Sequence, residues 1–88
     1  MNSTYKVIAV HPLEGFILHL VFANGESRYF EVSPYLDKGI FKELKDVAYF
    51  NRVHVRFDGV AWPNDQDLSP DTLYMKGAAQ PMTGVSRR

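Results

Sequence analysis

Apolar residues recur every second position in two parts of the chain. Between positions 16 and 22, Phe16, Leu18, Leu20 and Phe22 alternate with Ile17, His19 and Val21, which predicts a strand. Tyr5 to Val10, rich in Val and Ile, predicts a strand before it, and His11-Pro12-Leu13-Glu14-Gly15 reads as the turn between them. Ala23-Asn24-Gly25-Glu26 closes a hairpin onto a third strand from about Ser27 to Val32. A two-residue Asn24-Gly25 turn would set Leu18 opposite Glu31, an acid beside an apolar face. A three-residue loop with Gly25 as a left-handed bulge sets Leu18 opposite Phe30 and Phe16 opposite Val32. A slip of one residue flips every side chain, so the second register is expected.

The period then changes. Ser33-Pro34 reads as a helix cap followed by Pro at the first helical position, and Gly39 ends that turn. Ile40 to Lys45 and Val47 to Asn51 read as short helical pieces, the second capped by Asp46. Tyr35, Leu36, Ile40, Phe41, Leu44, Val47 and Phe50 are expected to cover one sheet face. A second hairpin follows. Val53, Val55 and Phe57 alternate with His54 and Arg56, and Asp58-Gly59 is a two-residue turn signal. That turn pairs Phe57 with Val60 and Val55 with Trp62. Pro63 ends the strand, and Ser69-Pro70-Asp71 starts a last helix carrying Leu73 and Tyr74. The expected fold is α+β: a mostly antiparallel sheet of two hairpins plus an N-terminal strand, with short helices on one face. One domain is expected over residues 5–76, followed by a flexible tail over residues 77–88. Leu18, Leu20, Phe30, Val55 and Trp62 should face the helices, and His19, Tyr29 and Arg56 should face away.

Composition narrows the classes. The chain has 88 residues, so it buries only about 60–65% of the surface its unfolded form exposes. It has no Cys, which excludes a disulfide framework and thiolate zinc. Apolar runs fall far short of the ~20 residues a membrane span needs. Met1-Asn2-Ser3-Thr4 lacks a basic region followed by an apolar stretch, so no export signal and a cytoplasmic location are expected. Formal charge is zero, but up to Met75 seven Lys and Arg face ten Asp and Glu, a balance of −3. An acidic body lacks the basic footprint of a phosphate-binding surface, so nucleic acid is a disfavoured partner.

The candidate chemistry is sparse. No Gly-x-Ser-x-Gly elbow, Gly-rich phosphate loop or pair of His at helical spacing is present. No enzyme activity, catalytic residue, metal or cofactor is expected. His19, Tyr29, His54 and Arg56 form a candidate partner-binding set if both hairpins share a sheet, because aromatic and Arg residues on an open face suit protein recognition. Ordinary solvation of a strand is the plainer explanation for them. Asn64, Asp65, Asp67 and Asp71 form an acidic loop with the oxygen chemistry of a Ca²⁺ or Mg²⁺ site. The loop lacks the Gly and distal Glu of a calcium loop, and Asp71 at a helix start already favours the dipole. Trp62 is expected in the core or at its rim.

The block Val60-Ala61-Trp62-Pro63-Asn64 and then Asp67-Leu68-Ser69-Pro70-Asp71-Thr72-Leu73-Tyr74 carries a more specific signal. With it go Val7-Ile8-Ala9-Val10-His11-Pro12-Leu13, Phe22-Ala23-Asn24-Gly25-Glu26 with Phe30, and Gly39-Ile40-Phe41-Lys42-Glu43-Leu44 with Asp46 and Phe50. Over about Tyr5 to Tyr74 the chain resembles the domain of unknown function family 2442, a group of small bacterial proteins. The resemblance implies a compact α+β fold and no established activity. Some members are similar to antitoxins encoded beside a small partner, and others are fused to a helix-turn-helix domain. Many members carry Gly after Trp-Pro-Asn; Asp65 stands there in this chain and makes the loop more acidic. The expected function is a non-enzymatic protein-binding module, the antitoxin-like partner of a two-gene pair, whose partner is a small toxin-like protein. The rivals are an accessory domain sensing a small ligand or metal ion through the acidic loop and, more weakly, a DNA-binding regulator. Oligomeric state is left open.

Overall fold

A computed structural model describes residues 5–79. Two three-stranded antiparallel sheets and short helices build the α+β fold. The first sheet runs β1 (Val7–Leu13), β2 (Ile17–Phe22) and β3 (Ser27–Glu31), with β2 in the middle. The second runs β4 (His54–Arg56), β5 (Gly59–Ala61) and β6 (Asp67–Leu68). The two adjoin where the Val7 amide donates to the Asp58 carbonyl at 2.8 Å. The hairpins therefore do not share one sheet.

The first hairpin has the expected register. Leu18 lies opposite Phe30, His19 opposite Tyr29, and Gly25 is left-handed at φ 93°. Val32 donates to the Phe16 carbonyl at 2.8 Å, which completes the pairing. The apolar face outweighed the usual preference of Asn-Gly for a tighter turn.

The second hairpin departs from expectation by one residue. Arg56 pairs with Gly59 and Val55 with Val60, so Phe57 and Asp58 form the turn, both left-handed at φ 51° and 67°. Val60, Ala61 and Trp62 are all buried, while Val55 is 39% and Phe57 81% exposed. The reason lies at Gly59: a Cβ there would collide with the Leu68 carbonyl oxygen. Gly59 serves the close approach of β5 to the end of β6 and to Pro70, and is not available for the turn.

The helical segment is mostly 3₁₀. A 3₁₀ helix over Ser33–Tyr35 is followed by one over Gly39–Lys45. Ser33 does not cap; its hydroxyl donates to the Gly15 carbonyl at 3.4 Å, and Val32 holds the cap position. Asp46 caps α1 (Val47–Phe50), accepting from the Ala48 amide at 3.0 Å. Ser69 caps α2 (Pro70–Lys76), accepting from the Thr72 amide at 3.2 Å. Leu44 and Phe50 are buried, and Tyr35, Leu36 and Phe41 pack on the core as expected, but Ile40 and Val47 point to solvent. A 3₁₀ helix eclipses positions three apart, so the apolar stripe read at the α period does not hold at Ile40, while Val47 is exposed as the first residue of the four-residue α1. After α2 the chain stays paired: Tyr29 and Ala78 exchange hydrogen bonds of 2.7 and 2.9 Å. The rest of the expected tail, from position 80, lies outside the described residues.

One core joins both sheets and the helices, with β4 outside it. Val7, Leu18, Leu20, Phe22, Phe30, Val32, Leu44, Phe50, Val60, Trp62, Leu68 and Leu73 form a single buried cluster. At one edge α2 is clamped by Tyr74, whose ring stacks on Tyr5 with centroids 3.8 Å apart. The Arg28 guanidinium carbon sits 4.1 Å from the same ring, and the Tyr74 hydroxyl donates to Glu26 at 2.8 Å. Two groups that close cannot share one face of a ring, so Tyr74 is sandwiched between Tyr5 and Arg28. The Tyr74 hydroxyl and then Arg28 hold the Glu26 carboxyl below its usual range.

Truncating Phe30 to Ala should cost roughly 3–5 kcal/mol, a large part of the ~5–15 kcal/mol that holds a domain together. Val55→Ala should cost about 1 kcal/mol or less, since that side chain is half out of the core. Equal losses in urea melts would mean that the second hairpin sits in the other register. Because the folded-state affinity of Glu26 for protons is lowered, its contribution is present above the ordinary glutamate range and is lost as pH falls through the lowered value. Glu26→Gln should therefore melt slightly below the parent protein at neutral pH, with the gap closing in acid. A gap that does not change with pH would show that the carboxylate charge is not what holds α2.

Candidate functional site

The two sheets divide the expected partner-binding set. His19 and Tyr29 stand side by side across β2 and β3, ring centroids 4.8 Å apart. His11 on β1 extends the row, 5.7 Å from His19. His54 and Arg56 belong to β4 in the other sheet. His54 Nδ1 lies 3.2 Å from the Arg52 carbonyl oxygen. Arg56 reaches Asp65 at 3.5 Å and places its guanidinium carbon 5.0 Å from the centre of the Phe57 ring. The four residues thus form two patches, not one.

The first patch lies on the outer face of the first sheet. Ile17, His19 and Val21 alternate with the core residues Leu18, Leu20 and Phe22, so β2 is apolar or aromatic on both sides. Ile17 is only 5% exposed yet lies outside the core cluster. His11 and Leu13 on β1 remain exposed beside this row.

Phe57 dominates the second patch. It is the most exposed of the large apolar side chains described, and its backbone is left-handed. A bulky residue there is costly, about 1–2 kcal/mol, where Asn, Asp or Gly would sit with less strain. Sequence reading missed Phe57 because the alternation of Val53, Val55 and Phe57 placed it in the core.

The acidic loop is held mainly by structural contacts. Trp62 is fully buried, and its indole N–H donates to the Phe50 carbonyl at 2.9 Å. The Asp65 amide donates to the Trp62 carbonyl at 3.0 Å, and the Trp62 amide to the Gln66 carbonyl at 2.9 Å, which closes the turn. Asn64 donates from its side chain to Glu43 at 2.8 Å and from its backbone to the Tyr49 hydroxyl at 2.8 Å. Gln66, buried to 1% exposure, donates to the Ile40 carbonyl at 2.9 Å and to Glu43 at 3.0 Å, and accepts from the Tyr49 hydroxyl at 2.7 Å. Asp65 is left-handed and pairs with Arg56; Asp67 is exposed on β6, and Asp71 stands in the first turn of α2. Among the described residues no group of three His, Asp or Glu converges as a metal cage would require. Gln66, Tyr49 and Glu43 carry this network; no motif in the sequence marks Gln66 or Tyr49, and Glu43 stands only within the stretch over residues 39–44.

Among the described residues no helix is long and apolar enough to cross a membrane. No curated protein and no solved structure matches the chain significantly. The family model described as "Protein of unknown function (DUF2442)" matches residues 7–79 of the 88, and the chain belongs to that family.

Proposed function

We propose that this protein is a non-enzymatic protein-binding module that covers a small toxin-like partner, as the antitoxin-like member of a two-gene pair. Phe57 carries this reading. A small domain has little stability to spare, yet here a large ring is held in water on a left-handed backbone. Neither burial nor turn chemistry accounts for Phe at that position. Aromatic residues and Arg are enriched at protein interfaces, and Arg56 lies against this ring. The row of His11, His19 and Tyr29 supplies a second open surface of the same character. Asn64 and Asp65 of the acidic loop are engaged with Glu43, Tyr49 and Arg56, which favours the hairpin tip as the contact site.

Phe57→Asn separates anchor from scaffold. Asn accepts the left-handed backbone, so the variant should be as stable as the parent or more stable by up to about 1 kcal/mol. The same variant should lose capture of the protein encoded by the adjacent gene when the two are co-expressed. Tyr29→Ala, tested alongside, reports whether the face of the first sheet shares the contact. A lowered melting temperature in Phe57→Asn would show that the ring supports the fold. Undiminished capture would remove the hairpin tip as the contact site.

A further inference from the structure

A cleft of about 390 Å³ opens beside β3, lined by Tyr29, Phe30, Glu31, Pro34, Tyr35, Lys38 and Lys76. Its size falls within the roughly 300–1,000 Å³ of ligand pockets. Three independent features converge there.

The first is an open sheet edge. β3 borders the first sheet. The Val32 amide points at β2, where it meets the Phe16 carbonyl. Antiparallel alternation then turns the N–H and C=O of Glu31 and Tyr29 the other way, off the sheet. Tyr29 confirms the parity, since both of its backbone groups bond to Ala78. The chain leaves α2 only at Lys76, just before Ala78, so that pairing does not extend to Glu31, and among the described residues nothing pairs with the Glu31 backbone. One donor and one acceptor therefore stand open next to a position where the same edge already pairs with a single residue, Ala78.

The second feature is charge. Lys38 comes from the link between the two 3₁₀ helices and Lys76 from the last turn of α2, so they reach the cleft from different elements. Neither is in an ion pair among the described residues, whereas Lys45 is held by Asp37 at 2.7 Å. With Glu31 as the only acid lining it, the cleft is cationic on a body with excess acid. The third is the wall: Phe30 is buried, and Tyr35 packs against it with centroids 5.7 Å apart.

We propose that this cleft binds the carboxyl-terminal end of an extended peptide. The last peptide unit pairs with the N–H and C=O of Glu31, the terminal carboxylate is held by Lys38 and Lys76, and an apolar terminal side chain rests on Tyr35 and Pro34. A single open backbone position suits a chain end, because a longer strand would need further open edge: Ala78 takes the Tyr29 position on one side, and on the other β3 ends at Glu31 and the 3₁₀ helix at Ser33 begins. The site does not depend on the hairpin tip.

The test uses the full chain and acetylated pentapeptides with the last two positions varied over all residue types, made both as free acids and as carboxyl-terminal amides. Some free acids should bind and shift the backbone amide resonance of Glu31, with the matching amides at least about tenfold weaker. Joint Lys38→Ala and Lys76→Ala should weaken the best free acid about tenfold or more with an unchanged melting temperature. Phe57→Asn should leave peptide binding as it was, whatever its effect on partner capture. No binding by any pentapeptide overturns the proposal, as does equal affinity for acid and amide. Acetate alone reproducing the Glu31 shift at the same affinity would also overturn it, since the peptide unit would then contribute nothing.

Discussion

The hydrogen bond from the Trp62 indole to the Phe50 carbonyl fixes more of this protein than any other single contact. It joins the end of α1 to the end of β5 across the middle of the core, and both rings are fully buried, their centroids 6.1 Å apart. An indole N–H removed from water needs a partner, and here the carbonyl that ends a four-residue helix supplies one. Once Trp62 is so placed, Val60 and Ala61 are drawn into the interior with it, and β5 is buried along its whole length. Gly59 must then slide under the Leu68 carbonyl, where only a residue without a Cβ fits. The Trp-Pro-Asn block is therefore a scaffold motif. It gives the chain its most specific sequence feature, and its Trp is placed in the core.

The polar side of this scaffold obeys the same rule. Gln66 is the one polar side chain described as fully buried, and its amide is engaged at both ends. Tyr49 donates to Gln66 and accepts from the Asn64 amide, so one hydroxyl closes the loop onto α1. A buried network with every group satisfied confers rigidity, whereas a half-satisfied one would cost more than an apolar core. The loop between β5 and β6 is thereby tied to the 3₁₀ helix Gly39–Lys45 through Ile40 and Glu43. At the far edge the Tyr5, Tyr74 and Arg28 stack does comparable work for α2 in a wetter setting.

How much of this is legible in the sequence depends on where the deciding contact lies. The first hairpin is readable because its own apolar pattern distinguishes the registers: Leu18 opposite Glu31 or opposite Phe30. Asp46 and Ser69 are readable because a cap acts over two or three residues. Ser33 looks the same locally but spends its hydroxyl on Gly15, which is distant in sequence. The second hairpin fails for the same kind of reason. Asp58-Gly59 and the alternation of Val53, Val55 and Phe57 agree with each other, yet the contacts that decide come from Phe50 and Leu68. The site follows suit. The neighbours His19 and Tyr29 come from the readable hairpin, while Phe57, Gln66 and the cleft beside Glu31 depend on packing between distant segments.

That same division explains how a left-handed Phe can persist. In most hairpins the turn residues select the register, so position 57 would be reserved for Asn, Asp or Gly. Here the register is imposed from the other end of β5, by Trp62 against Phe50 and by Gly59 under Leu68. The turn accepts whatever geometry remains, two left-handed residues at 57 and 58, and no longer needs turn-forming side chains to specify the pairing. Asp58 is backbone-tied to β1 through its carbonyl and the Val7 amide, which anchors the turn from behind. Phe57 is thus not what sets the register, and the strain it carries is borne by a core packed from the other end of β5. A hairpin whose register is fixed from its far end can carry an exposed aromatic ring on a left-handed backbone at its tip.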